Sequence, residues 1–362
     1  MTVQPQGHVA AMNAYALSRI NIPAGVEPVP LNQNESAFPP SPNAIEAAAQ
    51  VAAGSHLYSD PDWTDLRAAI ADLHGIDPSR ILVGAGSMEL IAATIAAFTG
   101  PGNDVLSTQF GYAFFASAAR AVNAGYAAAP ERDRAVCVDS ILHAVTPATR
   151  AVCVANPGNP TGTRVDSEAV RRLRAELPDN VLLILDEAYA EFTDHLGEPM
   201  FDLVDRGDTV VLRTFSKAYS LAGMRVGWGV FPPVVALEVR KLLNPNNVSS
   251  ASQAAATAAM RDQAYKNMVV ETTAVRRDVF ADQCRDLGLD VLESHTNFLL
   301  LGFGSADRAA QADAVLRQRG VVVRPMDSYG LGDCLRATVG DESAMKQATE
   351  ALRAWTEMEK TS

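Results

Sequence analysis

Val181-Leu182-Leu183-Ile184-Leu185, followed at once by Asp186-Glu187-Ala188-Tyr189, is the stretch on which the fold turns. Side chains alternate across a β-sheet, so a strand with one wet face alternates apolar with polar residues. Five apolar residues in succession instead demand burial on both faces, as in a parallel sheet covered by helices. The polar tetrad then falls where the strand ends, which in an open α/β sheet is where ligands bind.

Working outward, short apolar runs alternate with Ala-rich amphipathic stretches. The apolar runs cover residues 81–83, 104–107, 151–154 and 209–213, and the helical ones 87–98, 112–122 and 167–177. This rhythm predicts an α/β fold with a mainly parallel sheet flanked by helices. From about residue 248 a long helical region runs to 287, followed by short strands and helices up to a helix over 344–358. A smaller α+β domain is predicted there. Pro23, Pro28, Pro30, Pro39 and Pro40 mark an extended leading segment. The expected organisation is an N-terminal arm over 1–40 joining the small domain, a large domain over 41–247 and a small C-terminal domain over 248–362.

The 362 residues are 48% hydrophobic and 20% charged, which excludes a disordered or collagen-like chain. Thirty Lys and Arg against 42 Asp and Glu give a net charge of −12, with no basic cluster for nucleic acid or an anionic membrane. Cys137, Cys153, Cys284 and Cys334 lie too far apart for a metal-ligand pair or a small disulfide framework. Reduced thiols are therefore expected. With no leader pattern and no long apolar run, a cytoplasmic protein is expected.

Some signals are weak. Gly84-Ala85-Gly86-Ser87-Met88-Glu89 follows a strand and opens a helix, like a dinucleotide fingerprint, but Glu89 replaces its third glycine. Its backbone N–H groups still suit a phosphate. His195 with Glu198 lacks zinc spacing, and Trp228 between two glycines is left unassigned between a recognition aromatic and the commoner core residue.

Three segments carry the chemistry: Asn156-Pro157-Gly158-Asn159-Pro160-Thr161-Gly162, Asp186-Glu187-Ala188-Tyr189, and Thr214-Phe215-Ser216-Lys217 with Arg225 eight residues on. Each follows a predicted strand, so all three converge on one crevice. Singly, each residue could be a cap, a surface charge or an ion-pair partner. Together they form the set a pyridoxal phosphate site demands: a Schiff-base lysine, an acid for the pyridine nitrogen, and hydroxyls with an arginine for the phosphate.

With Asn34-Glu35, Tyr58-Ser59-Asp60, Ala222-Gly223 and Leu335-Arg336-Ala337-Thr338-Val339-Gly340 added in order, the chain resembles the fold-type-I aminotransferases, and within them the histidinol-phosphate aminotransferase family. The resemblance runs from about residue 31 to 355. It implies pyridoxal 5'-phosphate as cofactor, ping-pong transfer from a donor such as glutamate to a keto substrate, and no metal. It implies Lys217, Asp186 and Tyr189 as catalytic residues, with Asn159 and Tyr189 on the ring hydroxyl and Tyr112 stacked on the ring. Ser87, Met88, Thr214, Ser216 and Arg225 would bind the phosphate. Tyr58 would reach in from a second subunit, which makes a homodimer with shared sites.

For substrate it implies Arg336, with Arg324 as a second arginine, together with Asn34, Ser36 and Asn246. An arginine fork suits carboxylate and phosphate alike. Ser36 and Asn246 depart from the family's usual aromatic or Pro-flanked positions, and Met88 stands where an acid or amide is usual. The alternatives are an aminotransferase for aromatic or other amino acids, a decarboxylase or lyase using the same cofactor, and a non-catalytic regulatory scaffold.

Overall fold

The computed structural model describes residues 3–14, 20–197 and 199–361; Glu198 lies outside the described residues. Within them the chain forms a seven-stranded sheet, a four-stranded sheet and a two-residue parallel pairing. The strands of the large sheet are β1 (Ile81–Gly84), β2 (Asp104–Thr108), β3 (Gly125–Ala129), β4 (Thr149–Ala155), β5 (Leu182–Asp186), β6 (Thr209–Thr214) and β7 (Gly227–Val230). Their order is β1-β7-β6-β5-β4-β2-β3, with β7 antiparallel to both neighbours and every other pairing parallel. All five β5 residues are buried, as the apolar run requires.

Two strands were not read from the sequence. β3 is Gly-Tyr-Ala-Ala-Ala at the sheet edge, without the β-branched residues that mark a strand. β7 is Gly-Trp-Gly-Val, and its glycines answer to packing: a Cβ on Gly227 would lie 2.2 Å from the backbone nitrogen of Ser87. Trp228 is fully buried against His74 and Phe201, which assigns it to the core.

Helix α1 (Pro42–Ala52) starts with Pro at N1 and Ser41 accepting the Ala44 N–H at 3.1 Å, a strong start signal. It packs against α2 (Ser250–Arg261), and Ala255, Ala256 and Met260 of α2 join the large core. The predicted long helical region is broken at Asp262, whose side chain caps α3 (Gln263–Asp286) by accepting the Tyr265 N–H at 3.2 Å.

The second core contains Phe280, Cys284, Leu301, Leu335 and Trp355. Its antiparallel sheet comprises β8 (Asp290–Val291), β9 (Phe298–Gly302), β10 (Arg324–Met326) and β11 (Leu331–Thr338), in the order β10-β11-β9-β8. Val29 and Pro30 pair with Val321 and Val322, and Leu31 is buried in this same core. That pairing delivers residues 32–35 to the mouth of the large sheet.

Candidate active site

Beyond the carboxyl ends of β4, β5 and β6 lies a cavity of about 370 Å³. Thirteen of the sixteen predicted site residues line it: Asn34, Ser87, Met88, Tyr112, Asn159, Asp186, Tyr189, Thr214, Ser216, Lys217, Arg225, Arg324 and Arg336. Strand alternation sorts the large-sheet contribution. Asp186 and Thr214 face the cavity. Their neighbours Glu187 and Arg213 point behind the sheet, where the Arg213 guanidinium meets Glu187 at 3.0 Å and Asp194 at 3.1 Å.

Asp186 is buried, and its Oδ1 has no hydrogen-bond partner. Burial, reinforced by the charge of Glu187, pushes its carboxyl up to about 7. An orphaned carboxylate oxygen facing a cavity calls for an N–H donor or a cation there. Lys217 sits across the same space, its Nζ donating to the main-chain oxygen of Asn34 at 2.8 Å. Burial, with Arg336 and Arg225 nearby, brings its amine down to about 7.

A second cradle suits an anion. The helix Ser87–Phe98 follows Gly86 (φ 82°) and has no side-chain cap, which leaves its first N–H groups for a ligand. A Cβ on Gly86 would lie 2.5 Å from an Arg225 nitrogen, so glycine admits the guanidinium there. Arg225 itself is held left-handed at φ 52°, its Nη1 donating to Ala222 O at 3.0 Å. The Thr214 hydroxyl donates to Ser216 Oγ at 3.0 Å on the same side. Glu89, which breaks the glycine fingerprint, accepts from Ala85 N and Asn247 Nδ2, each at 2.6 Å, and so fastens the turn.

The opposite wall comes from the small sheet. Arg324 and Arg336 are cross-strand partners in the β10–β11 register, which brings both guanidiniums to one end of the cavity. Arg336 is buried; it donates to Asn159 Oδ1 at 2.6 Å and Asn32 O at 3.1 Å. The Tyr189 hydroxyl accepts from Asn34 Nδ2 at 2.9 Å, and burial pushes that phenol up to about 12.

Three predicted residues do not line the cavity. Ser36 bonds the Ser220 hydroxyl at 2.7 Å and accepts the Phe38 N–H at 3.2 Å. Asn246 donates to Ser59 O at 2.5 Å, so its side chain braces the 59–63 loop. Tyr58 in that region is 92% exposed and does not line its own chain's cavity. In the other direction, Gln33, Glu35 and Tyr329 line the cavity without having been singled out as site residues. For Tyr329 a signal existed, an aromatic before Gly330 in the loop joining the two arginine strands.

Among the described residues, no group of acids, cysteines and histidines could hold a metal, and no helix is long and apolar enough to cross a membrane. The family profile "Aminotransferase class I and II" matches residues 26–352. The chain is 40% identical over 354 residues to the histidinol-phosphate aminotransferase of Jannaschia sp. (strain CCS1), covering 97% of this chain and 98% of that one. It is 38% identical over 353 residues to the enzyme of the same name from Ruegeria pomeroyi, covering 98% of each. The crystal structure of histidinol-phosphate aminotransferase from Sinorhizobium meliloti in complex with pyridoxal-5'-phosphate superposes with a TM-score of 0.90 at 27% identity, covering 99% of both chains.

Proposed function

The chain belongs to the class I and II aminotransferases and is a pyridoxal phosphate-dependent enzyme, and from that premise we propose that it moves an amino group between histidinol phosphate and a 2-oxo acid such as that of glutamate. The observation that carries the substrate is the cross-strand pair Arg324 and Arg336 at one end of the cavity, across from Lys217. Histidinol phosphate carries its phosphate, and glutamate its α-carboxylate, beside the amine-bearing carbon. One arginine pair therefore serves both half-reactions, because a guanidinium fork accepts either anion.

The residues fit the cofactor. Oδ1 of Asp186 lacks the donor that a protonated ring nitrogen would be, and the uncapped helix start with Arg225, Thr214 and Ser216 suits a phosphate. Lys217 would hold the cofactor covalently, Asn159 and Tyr189 would contact its ring oxygen, and Tyr112 would stack on its ring. Ser87 and Met88 would bind phosphate through backbone N–H groups, so the methionine side chain is no obstacle. The bound cofactor supplies an electron sink for the charge left when the substrate's α-carbon loses a proton. Lys217 Nζ takes that proton and returns it, and an amine depressed to about 7 is suited to act as a base near neutral pH. Asp186 supplies the counter-charge that keeps the ring nitrogen protonated.

The same reading makes the active form a homodimer. Tyr58 and Leu57 are exposed on a loop held firm by Asn246 and by Arg240, which donates to Pro61 O at 2.9 Å. Leu237 and Leu242, flanking Arg240, are exposed as well. Tyr58 would then enter the partner's cavity; the mass in solution should be that of two chains. The division into units falls in this reading near the start of α3 rather than at 248, since α2 packs on α1 and belongs to the large core.

With 2-oxoglutarate as acceptor, histidinol phosphate should yield glutamate stoichiometrically. Histidinol without its phosphate should be poorer by about two to three orders of magnitude in kcat/KM, since a buried arginine loses its anion. An aromatic amino acid turned over more efficiently than histidinol phosphate would replace it as substrate. Release of carbon dioxide or ammonia instead of glutamate would replace transfer.

A further inference from the structure

Asn34 was expected at the substrate, yet its polar groups are committed elsewhere. Its N–H donates to Thr338 Oγ1 at 2.9 Å, and its main-chain oxygen accepts from Lys217 Nζ at 2.8 Å and Asn297 Nδ2 at 3.1 Å. Its side-chain oxygen lies 3.4 Å from Thr338 Oγ1, and its Nδ2 donates to the Tyr189 oxygen at 2.9 Å. The residue is 1% exposed and left-handed at φ 54°, a conformation that asparagine tolerates better than most residues.

These contacts fix the direction of one proton. The Thr338 hydroxyl oxygen already receives the Asn34 N–H, so its own O–H donates to Oδ1, and Nδ2 must face Tyr189. A phenol oxygen that accepts from Asn34 keeps its O–H for the cavity. The accepted bond also polarises the phenol and strengthens it as a donor. Thr338 lies two residues beyond Arg336 on β11, on the same face, and Arg336 in turn holds Asn32 O. The anion-binding arginine, the lysine and the phenol are therefore joined through one asparagine.

We propose that Asn34 is a positioning residue that fixes Tyr189 as a donor into the cavity and holds the Lys217 amine in register with the strand bearing Arg336. The proposal rests on the reading of Lys217 and Tyr189 given above. Its consequence is spectroscopic. With the cofactor bound, a strong donor from Tyr189 to its ring oxygen would favour the deprotonated form, so Asn34 would keep the pH midpoint of the cofactor's visible band low.

The test is an absorbance titration of cofactor-loaded protein. Asn34→Gly keeps the left-handed backbone and removes the amide; the midpoint should rise by about half to one pH unit, the size of one hydrogen bond. Asn34→Asp keeps the shape but turns a donor into an acceptor, so the Tyr189 O–H swings toward it and the midpoint should rise further. In a Tyr189→Phe background the Asn34→Gly shift should vanish, which a general loss of packing would not produce. Midpoints within about 0.2 unit of wild type in both single variants, or a fall in Asn34→Asp, overturn the proposal. If the glycine variant does not fold, the near-isosteric Asn34→Asp variant decides alone. Borohydride label found on a lysine other than Lys217 in the wild type would remove the underlying reading, and the proposal with it.

Discussion

The two walls of the cavity are built in opposite ways. The large-sheet wall consists of strand ends: Asp186, Thr214 and Lys217 each sit at or just past the end of an apolar parallel strand, and short loops fix them. The other wall is assembled from distant pieces. Asn34 meets Tyr189, Lys217 and Thr338 across 155, 183 and 304 residues of sequence, and Arg336 meets Asn159 across 177. Bond chemistry needs groups whose positions do not change, and a buried parallel sheet supplies them. On the proposed function, recognition of two different anions in turn falls to the sheet of the smaller core.

If that division holds, substitutions on the large-sheet wall should abolish chemistry, and those on the small-sheet wall should alter affinity. Lys217→Ala should lower transamination by at least about four orders of magnitude, since it removes both the attachment point and the base. Borohydride reduction followed by peptide mapping should label Lys217 in the wild type. Activity surviving in the alanine variant would break the comparison outright.

Asp186→Asn should keep bound cofactor through the phosphate anchors while losing about two to three orders of magnitude in turnover, because an amide offers no counter-charge. Its effect on cofactor-free protein has a definite sign. Burial raises the folded pKa of Asp186 from 3.8 to about 7, so between those values the folded state holds a proton that the unfolded state has lost. This group therefore lowers stability as pH rises from about 4 to 7. Lys217, depressed from 10.5 to about 7, acts oppositely and raises stability as pH climbs through 7 to 10.5. Thermal melts of cofactor-free Asp186→Asn should lose the falling limb, and those of Lys217→Ala the rising one. Parallel profiles for all three proteins would show that the two groups are not buried as described.

This asymmetry also governs what the sequence could disclose. Asp186, Asn159 and Lys217 were legible because apolar runs announce strands and polar residues after them announce a site. Ser36 and Asn246 lie off the cavity because a position in a motif says nothing of where the side chain turns: one goes to Ser220, the other to Ser59. The edge strand Gly125–Ala129 was missed because its alanines carry no β signature, and the break at Asp262 because a cap inside a helical pattern looks like one more polar residue. Tyr329 offered only an aromatic before a glycine, a signal that gains meaning once the pairing of β10 with β11 brings its loop over the cavity.

On the small-sheet wall, Arg336→Ala should weaken every anionic substrate by about two orders of magnitude in kcat/KM, most of it in KM, while cofactor stays bound and the pH midpoint of its visible band rises, since a cation beside Lys217 is gone. Arg336→Lys should recover only part of this, because an ammonium cannot fork onto two oxygens. A loss confined to kcat would move Arg336 into the chemistry and blur the contrast between the walls.

The smallest effect belongs to Tyr329, and it probes where the walls meet. The residue stands on a turn between the two arginine strands, and its hydroxyl accepts the Ala113 N–H at 3.3 Å, next to Tyr112. That bond is long for an N–H donor, so its contribution lies at the lower end of the range for a hydrogen bond. Tyr329→Phe should therefore cost about two- to threefold in kcat/KM for the anionic substrates and leave cofactor affinity unchanged. Tyr329→Ala, which also removes the ring from the cavity wall, should cost more and admit water beside Arg336. The discriminating measurement is the ratio of histidinol phosphate to histidinol turnover. A loss of anion preference in the alanine variant, with little change in the phenylalanine one, would assign Tyr329 to shielding the arginine pair. Equal losses in both variants would instead make the hydroxyl the coupling between the small-sheet turn and the Tyr112 segment.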